Sequence, residues 1–296
     1  MIEFKEISID DREAIQQFTL GSMHQNCDFS FANLCSWSFL YHTRWAVVEG
    51  FLVFHFYVEE TPVYMMPVGH GNWRSVLQTL LADARERGVP FRMLGISPTV
   101  KEEMERAMPG AFAFSADRDY FDYVYLRADL ATLTGKKYQP KRNHLNKFRK
   151  AYLHSEYRQL TPELIPECLK LEEIWCRANG CCEELALSAE RRSMTYALTH
   201  MEALGITGGV LFVEGRIVAF TYGSPVNGDT WDICVEKADT QVEGSYAMIN
   251  NEYVNHIDPR YVYINREEDL GLEGLRKAKL SYQPHVLLEK YSAESV

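Results

Sequence analysis

The sequence repeats one short pattern in its two halves. Residues 46–54 read AVVEGFLVF and residues 211–220 read LFVEGRIVAF, so an apolar run, a Val-Glu-Gly turn and a second apolar run occur twice. Glycine tolerates a positive φ in a tight turn, and apolar runs on both sides of such a turn predict a β-hairpin. The chain therefore contains two similar predicted hairpins, one in each half.

The segments that follow the two hairpins also match in order. Each hairpin precedes a predicted strand, a predicted helix and another predicted strand, which are residues 62–69, 73–88 and 91–96 in the first half and residues 230–236, 246–257 and 261–265 in the second. This order predicts two βββαβ units in tandem. A chain of 296 residues can hold two domains. We place them at residues 1–130 and 131–296, and expect the second to carry the active site.

Composition excludes several classes of protein. The net charge of −10 argues against a general nucleic-acid coat, although it leaves room for a local basic site. No apolar run is long enough for an integral membrane segment. The seven cysteines form no CxxC pair, and Cys181 and Cys182 are adjacent, which favours reduced thiols and a cytoplasmic location. The nine histidines show no metal-binding spacing, so we expect no metal site.

A basic segment, GKKYQPKRNHLNKFRK, spans residues 135–150 and holds seven Lys or Arg and no acid. Pro140 suits the first turn of a helix, which predicts a helix start near this position. One interpretation is an anion site for a phosphate-bearing substrate or an RNA backbone. The other is a solvated basic helix between two acidic domains. The candidate substrate- or RNA-binding residues are Lys137, Lys141, Arg142, Asn143 and Lys147.

Acids and cations crowd together where the last strand of the second unit ends, in YINREEDLGLEGLRKAKLSYQP, residues 263–284. Ligand sites of α/β sheets lie at the carboxyl ends of strands, and such a cluster can hold a general base near a bound amine or hydroxyl. The alternative is a helix cap at Asp269 with surface ion pairs, and Leu272 and Leu275 facing the core. The candidate catalytic residues are Asn265, Glu268, Asp269, Arg276 and Lys279.

The segment TQVEGSYAMINNEY, residues 240–253, places Gly244 and Ser245 between a strand and a helix. Free backbone N–H groups at a helix start can bind a pyrophosphate, so this turn is the candidate cofactor site for a coenzyme A thioester. An ordinary helix-capping turn explains the same residues.

Three segments resemble one bacterial family. They are KKYQPKRNHLNKF, INREEDLGLEGLRKAKLSYQP and the upstream DFSFANLCSW. The chain resembles, over nearly its whole length, the DUF2156 family, which is related to the C-terminal domain of phosphatidylglycerol lysyltransferase. The resemblance implies an α/β fold of two tandem GNAT-like (acetyltransferase-like) domains, with mixed sheets flanked by helices.

The resemblance also implies an activity, because the lipid-modifying relatives move an aminoacyl group from a charged tRNA to a lipid head group. It implies that the five candidate catalytic residues lie near the reaction centre, and that Arg142 and Asn143 contact substrate or RNA. We therefore expect an aminoacyltransferase that uses aminoacyl-tRNA and an amine or hydroxyl acceptor, either a lipid head group or a small molecule. The alternatives are a coenzyme A-dependent N-acyltransferase and a non-catalytic ligand- or RNA-binding protein on the same fold.

Overall fold

The structure is a computed structural model that describes residues 1–178 and 185–296. Cys181 and Cys182, which were expected to be reduced thiols, lie outside the described residues. Among the described residues, Cys27, Cys35, Cys168, Cys176 and Cys234 are free thiols.

Strands and helices alternate along the chain. The strands are β1 (Lys5–Glu6), β2 (Arg44–Val48), β3 (Phe51–Val58), β4 (Thr61–Met65), β5 (Val68–Gly69), β6 (Arg92–Ile96), β7 (Phe112–Ala116), β8 (Asp122–Leu126), β9 (Ser155–Gln159), β10 (Thr207–Val213), β11 (Arg216–Pro225), β12 (Thr230–Ala238), β13 (Tyr263–Asn265), β14 (Val286–Leu288) and β15 (Tyr291–Ser295). The helices are α1 (Arg12–Thr19), α2 (Phe31–Ser36), α3 (Ser38–Tyr41), α4 (Trp73–Arg87), α5 (Pro98–Ala107), α6 (Arg127–Thr132), α7 (Gln139–Ala151), α8 (Ile165–Ala178), α9 (Leu185–Thr199), α10 (Met201–Leu204), α11 (Ser245–His256) and α12 (Glu273–Leu280). Short 3₁₀ turns occur at Ile9–Asp11, Cys27–Phe29, Arg118–Tyr120, Lys136–Tyr138 and Pro162–Leu164.

Both predicted hairpins are confirmed. β2 pairs with β3 and β10 pairs with β11, in each case antiparallel. Glu49 and Gly50 have φ values of 52° and 84°, and Glu214 and Gly215 have 51° and 78°. Two consecutive residues with positive φ define the tight turn whose twist matches antiparallel strands, which explains why the same Glu-Gly pair occurs twice.

The described strands form two mixed sheets of similar design. The first has the order β1-β2-β3-β4-β6-β15-β7, with β5 also paired to β3, and the second has the order β14-β8-β13-β12-β11-β10-β9. In each sheet one parallel pair, β4 with β6 or β12 with β13, is connected by a crossover that contains α4 or α11. The two predicted βββαβ units are therefore present, and the mixed α/β class is confirmed.

The two sheets exchange strands. β15, at the end of the chain, inserts between β6 and β7 of the first sheet. In the same way β8, from the first half of the chain, inserts between β13 and β14 of the second sheet. The boundary between residues 130 and 131 stays a prediction, since residues 122–126 pair in the second sheet and residues 291–295 in the first. The exchange interlocks the halves and brings the starts of β8 and β15 together.

The apolar core of the described residues forms two clusters. One joins the first sheet, α2, α4, α8 and α9 to one face of the second sheet, and includes Phe51, Phe54 and Leu77. The other packs α7 and α11 on the second sheet and includes Phe148, Ile249 and Ile264. No helix in the described part of the chain has both the length and the apolar character needed to span a bilayer.

Candidate functional site

The two exchanged strands meet at a buried ion pair. Asp122 is the first residue of β8, and Lys290 directly precedes β15. Lys290 Nζ lies 2.8 Å from Asp122 Oδ1, and the two side chains are 7% and 0% exposed. The pair therefore joins the start of one exchanged strand to the start of the other.

Further acids surround this lysine. Lys290 Nζ is 3.0 Å from Asp28 Oδ2 and also pairs with Glu268, while the backbone N–H of Cys27 donates to Asp122 Oδ2 over 2.8 Å. We name Cys27, Asp28, Asp122, Glu268 and Lys290 the lysine cluster. The side chains of Glu268 and Asp28 are 17% and 33% exposed, so the cluster has a buried back and a solvent-facing front.

The charges of the lysine cluster shift one another. Burial raises the pKa of Asp122 to about 6, partly opposed by Lys290. Burial alone would lower the pKa of Lys290, but Asp122 and Asp28 hold it well above its usual value. Burial would raise the pKa of Glu268, yet the Lys290 ammonium brings it below its usual value. Lysine therefore keeps Glu268, the front acid, ionised.

Asn265 fixes the loop that carries Glu268. Its Nδ2 donates to Asp122 Oδ2 over 2.8 Å and to the carbonyl of Gln25 over 2.7 Å, and its Oδ1 accepts the backbone N–H of Glu267 over 2.7 Å. The side chain is fully buried at the end of β13. Both polar atoms of the Asn265 side chain thus have protein partners, and their hydrogen bonds fix the Asp122 carboxylate and the backbone of Glu267.

A second group of acids lies beside the first. Asn33 Nδ2, on α2, donates to Asp232 Oδ2 over 3.0 Å and to Glu267 Oε1 over 2.9 Å. Cys234 Sγ lies 3.3 Å from Asp232 Oδ2. We name Asn33, Asp232, Cys234 and Glu267 the thiol–carboxylate cluster. It joins β12, the loop after β13 and the N-terminal half.

Burial favours the neutral forms of the acids in this second cluster. Burial and the Glu267 carboxylate raise the pKa of Asp232 well above its usual value. Burial and Glu268 raise the pKa of Glu267 to about 8, and burial raises the pKa of the Cys234 thiol. Within residues 1–178 and 185–296, no lysine, arginine or histidine forms an ion pair with Asp232 or Glu267.

Among the described residues, the other three candidate catalytic residues form no ion pair with the side chains of the lysine cluster. Asp269 is fully buried and accepts from Tyr123 Oη over 2.5 Å and from Arg276 Nη2 over 2.7 Å. The Arg276 hydrogen bonds lower the pKa of Asp269 despite the opposing effect of burial. Lys279 Nζ donates to the carbonyls of Arg266 and Glu268. These residues hold the loop in place, and their assignment to catalysis stays a prediction.

Two local expectations for this segment are wrong. The N-cap of α12 is Leu272 rather than Asp269, because Asp269 bonds forward to the N–H of Gly271 and to Arg276. Leu272 and Leu275 are 60% and 38% exposed and do not face the core. The positive φ values at Leu270 and Gly271 turn the chain outward before the helix begins.

The basic segment forms α7, as predicted, and most of its candidate residues have protein partners. Lys137 is 3.4 Å from Asp129, and Lys147 is 2.7 Å from Glu243. Arg142 donates to the carbonyls of Leu133 and Gly135. Asn143 Oδ1 accepts a hydrogen bond from Gln139 Nε2. Lys137, Asn143 and Lys147 are exposed at the surface, so an anionic partner could reach them.

Lys141 differs from the other cations of α7. β13 ends at Asn265 whereas β12 continues to Ala238, so the ladder between them stops there. Near this opening Lys141 Nζ lies 3.8 Å from the centre of the Tyr282 ring. Burial, with the repulsion of Arg266, lowers the pKa of Lys141 to about 8. An amine of this kind loses its charge more easily than a surface lysine, and its role as an anion contact stays a prediction.

The candidate cofactor turn is tightly packed. Gly244 has a φ of 87°, and a Cβ at this position would lie 3.3 Å from Phe148 Cβ. The hydroxyl of Ser245 is directed at the carbonyl of Asp239 over 3.1 Å, and Ser245 is buried. Its N–H donates to the carbonyl of Val242. Ser245 therefore already uses both its hydroxyl and its N–H within the protein.

Sequence reasoning missed most of the two clusters. Asp122 and Lys290 each stand at the edge of a strand, far apart in the chain, and nothing local marks them as partners. One signal was present: Asp232 interrupts the apolar strand TWDICVE, and a carboxylate inside such a strand points to a site. The missed residues are Cys27, Asp28, Asn33, Asp122, Asp232, Cys234, Glu267 and Lys290.

Comparison with known proteins agrees with this architecture. The family model described as "Phosphatidylglycerol lysyltransferase, C-terminal" matches residues 21–294. The chain belongs to this family. The description of the family points to a transferase as the reaction class.

Solved structures of similar proteins extend the comparison. A conserved Bacteroides thetaiotaomicron protein is 54% identical, with a TM-score of 0.98 and 100% of both chains covered. The C-terminal domain (DUF2156) of a putative lysylphosphatidylglycerol synthetase from Agrobacterium fabrum is 15% identical over 97% of this chain and 92% of its own, with a TM-score of 0.69. A tandem GNAT protein from the clavulanic acid pathway has a TM-score of 0.52 at 12% identity, covering 99% and 98%. The tandem GNAT-like fold of the family member is thus confirmed.

A curated relative from Mycoplasmoides gallisepticum is 25% identical over 175 residues, or 57% of this chain. The chain spans about half of that relative, since it covers 54% of its length.

Proposed function

We propose that this chain transfers an aminoacyl group from an aminoacyl-tRNA to an amine or hydroxyl acceptor, and that the lysine cluster is the reaction centre. The observation that carries the proposal is the Lys290–Asp122 pair at the strand crossing, with Glu268 in front of it at the surface. Membership in the lysyltransferase family supports the reaction class. The acceptor is a lipid head group or a small molecule, and the expected location is the cytoplasm, where charged tRNA is found.

In the proposed reaction the acceptor's nitrogen or oxygen attacks the carbonyl carbon of the aminoacyl ester. A new C–N or C–O bond forms, the ester C–O bond to the tRNA ribose breaks, and the acceptor's proton passes to the ribose oxygen. Glu268 is suited to relay this proton, because its carboxylate is partly exposed and pairs with the buried Lys290 ammonium. Lys290 and Asp122 act as positioning residues.

The exposed cations of α7 are suited to contact the tRNA backbone. Lys137 and Lys147 are 53% and 65% exposed, and their partners Asp129 and Glu243 are also at the surface. Phosphates can displace such solvent-exposed carboxylate partners at little cost. Changing Lys137 and Lys147 together to Glu is expected to weaken tRNA binding, whereas Arg158→Glu on β9 serves as a surface control.

The coenzyme A alternative has less support in the Gly244 turn. The hydroxyl and the N–H of Ser245 both donate to backbone carbonyls. The exposed acid Glu243 lies next to Gly244. An anionic pyrophosphate would meet a carboxylate there. Titration with acetyl-coenzyme A tests this alternative, and micromolar binding would revive it.

The test of the proposed function is a transfer assay. Purified protein is mixed with tRNA charged with radiolabelled amino acids, together with phosphatidylglycerol vesicles or a pool of small amines, and transfer of label from RNA to acceptor is followed. Glu268→Gln is expected to reduce transfer at least about a hundredfold, while Glu273→Gln, on the surface of α12, leaves it unchanged. Absence of transfer from every aminoacyl-tRNA, or full activity of Glu268→Gln, would refute the proposal.

A further inference from the structure

The thiol–carboxylate cluster holds a buried carboxyl oxygen that has no hydrogen-bond partner among the described residues. Asp232 is fully buried, and its Oδ1 atom has no hydrogen-bond partner. Asn33 offers one amide to both carboxylates, and among the described residues no cation pairs with either of them. Buried carboxyl groups in proteins are paired, bind metal ions or stay protonated, because an isolated buried carboxylate costs several kcal/mol. A bound metal ion would take the place of the protons on these acids.

The lysine cluster combines a similar set of ligand atoms with a cation supplied by the protein. Cys27, Asp122 and Glu268 offer one sulfur and two carboxylate ligand atoms within 4.8 Å of one another. Lys290 places its ammonium beside both of these carboxylates. Asp232, Cys234 and Glu267 offer the same three ligand types within the same 4.8 Å. The second set thus repeats the first without the lysine.

The spacing of the second set suits a metal ion. Tetrahedral zinc has Zn–S bonds of about 2.3 Å and Zn–O bonds of about 2.0–2.2 Å, which puts neighbouring sulfur and oxygen ligands roughly 3.5 Å apart. Cys234 Sγ and Asp232 Oδ2 are 3.3 Å apart. Three protein ligands with an open fourth position are typical of zinc sites that bind water or substrate.

Asn33 can complete the set from the N-terminal half. Its Nδ2 atom lies 3.0 Å from Asp232 Oδ2 and 2.9 Å from Glu267 Oε1. A half-turn of this amide exchanges Nδ2 for Oδ1, which is an oxygen ligand. The three segments that meet here are α2, β12 and the loop after β13.

We propose that Asp232, Cys234 and Glu267 bind a divalent transition-metal ion of the zinc class, with the Asn33 amide oxygen or a water as the fourth ligand. The proposal does not rest on aminoacyl transfer. It replaces the expectation from the sequence that the chain has no metal site, which considered histidine and cysteine spacing and could not foresee ligands from separate segments.

The test is a titration of chelator-treated full-length protein with Co²⁺, followed by competition with Zn²⁺. Thiolate-bound Co²⁺ gives an ultraviolet charge-transfer band, and tetrahedral Co²⁺ gives visible bands. We expect one Co²⁺ per chain, loss of the charge-transfer band in Cys234→Ser, and binding at least roughly tenfold weaker in Glu267→Gln. Cys27→Ser, which changes the matched cysteine of the lysine cluster, should bind Co²⁺ with the same stoichiometry and the same charge-transfer band as the unchanged protein.

Two results would overturn the proposal. One is the absence of stoichiometric Co²⁺ or Zn²⁺ binding at micromolar concentration in the unchanged protein. The other is a charge-transfer band that survives in folded Cys234→Ser. Glu267→Gln keeps the test decisive if Cys234→Ser fails to fold, since Glu267 is only partly buried. Metal binding without aminoacyl transfer, or the reverse, separates this proposal from the proposed function.

Discussion

The lysine cluster and the thiol–carboxylate cluster contain the same ligand types, yet only the first has an internal cation. In the first, Lys290 reaches Asp122 and Glu268 from the strand exchanged between the sheets. In the second, Asn33 provides only a neutral amide to Asp232 and Glu267. The difference shows two ways in which the fold accommodates a buried acid: Lys290 pairs with Asp122, whereas a raised pKa favours the neutral form of Asp232.

The largest expected effect is the loss of the internal cation. Lys290→Met leaves Asp122 fully buried without its ion-pair partner, which typically costs about 3–5 kcal/mol. The free energy of unfolding in urea measures this cost. Lys147→Met, which breaks an exposed pair with Glu243, is the matched control and should change stability little. Equal stability of the two variants would contradict the assigned difference between buried and exposed lysines.

The two buried aspartates should respond in opposite ways to the same change. In the presence of chelator, Asp122→Asn breaks a paired charge and is expected to destabilise the protein by about 3 kcal/mol. Asp232→Asn replaces an acid whose raised pKa already favours its neutral form, so stability should stay within about 1 kcal/mol or rise. Urea unfolding of both variants under one buffer condition checks the contrast. Similar losses in both would show that Asp232 has a compensating partner after all.

Metal binding should stabilise the folded protein through the thiol–carboxylate cluster. A ligand that binds only the folded state stabilises it by about 2.7 kcal/mol at a hundred times its Kd. Zn²⁺ is therefore expected to raise the melting temperature of the unchanged protein and of Cys27→Ser, but not of Cys234→Ser. Differential scanning calorimetry with and without chelator measures the shift. A shift that is lost in Cys27→Ser and kept in Cys234→Ser would place the metal in the lysine cluster and contradict the proposal.

The smallest effect concerns a lysine that lacks the acidic surroundings of Lys290. The pKa of Lys141 is lowered to about 8, so near pH 8 about half of its side chains are neutral amines and can react, whereas the pKa of Lys290 is raised and its amine stays protonated. Reductive methylation at pH 8, followed by peptide mass spectrometry, should label Lys141 well before Lys290. Labelling of Lys141 should fall steeply as the pH is lowered from 8 to 6. Equal labelling of the two lysines would contradict the assigned environments.

The sequence predicted the local elements better than the site. The Val-Glu-Gly turns, Pro140 and the apolar runs act over a few residues, and the hairpins, α7 and the two βββαβ units are all present. The resemblance to the lysyltransferase family was confirmed. These features depend on neighbours in the chain, which explains why they could be read from it.

The site could not be predicted because it depends on the strand exchange. Asp122 and Lys290 meet only after β8 and β15 have paired in the opposite sheets, a long-range event that no local pattern encodes. The sequence permits a helix cap at Asp269, but the Asp269 carboxylate instead accepts hydrogen bonds from Arg276 and Tyr123. Asn265 and Glu268 were named from the crowded loop, and their link to Lys290 came only from the fold.

The most direct test of the central claim is a crystal structure of the chain with an aminoacyl-adenosine analogue in which an amide replaces the reactive ester. The account predicts that the aminoacyl carbonyl lies within hydrogen-bonding distance of the front of the lysine cluster, between Glu268 and Asp28. An analogue seated at the Gly244 turn, or anywhere that leaves Glu268 without contact, would contradict the assignment of the lysine cluster as the reaction centre.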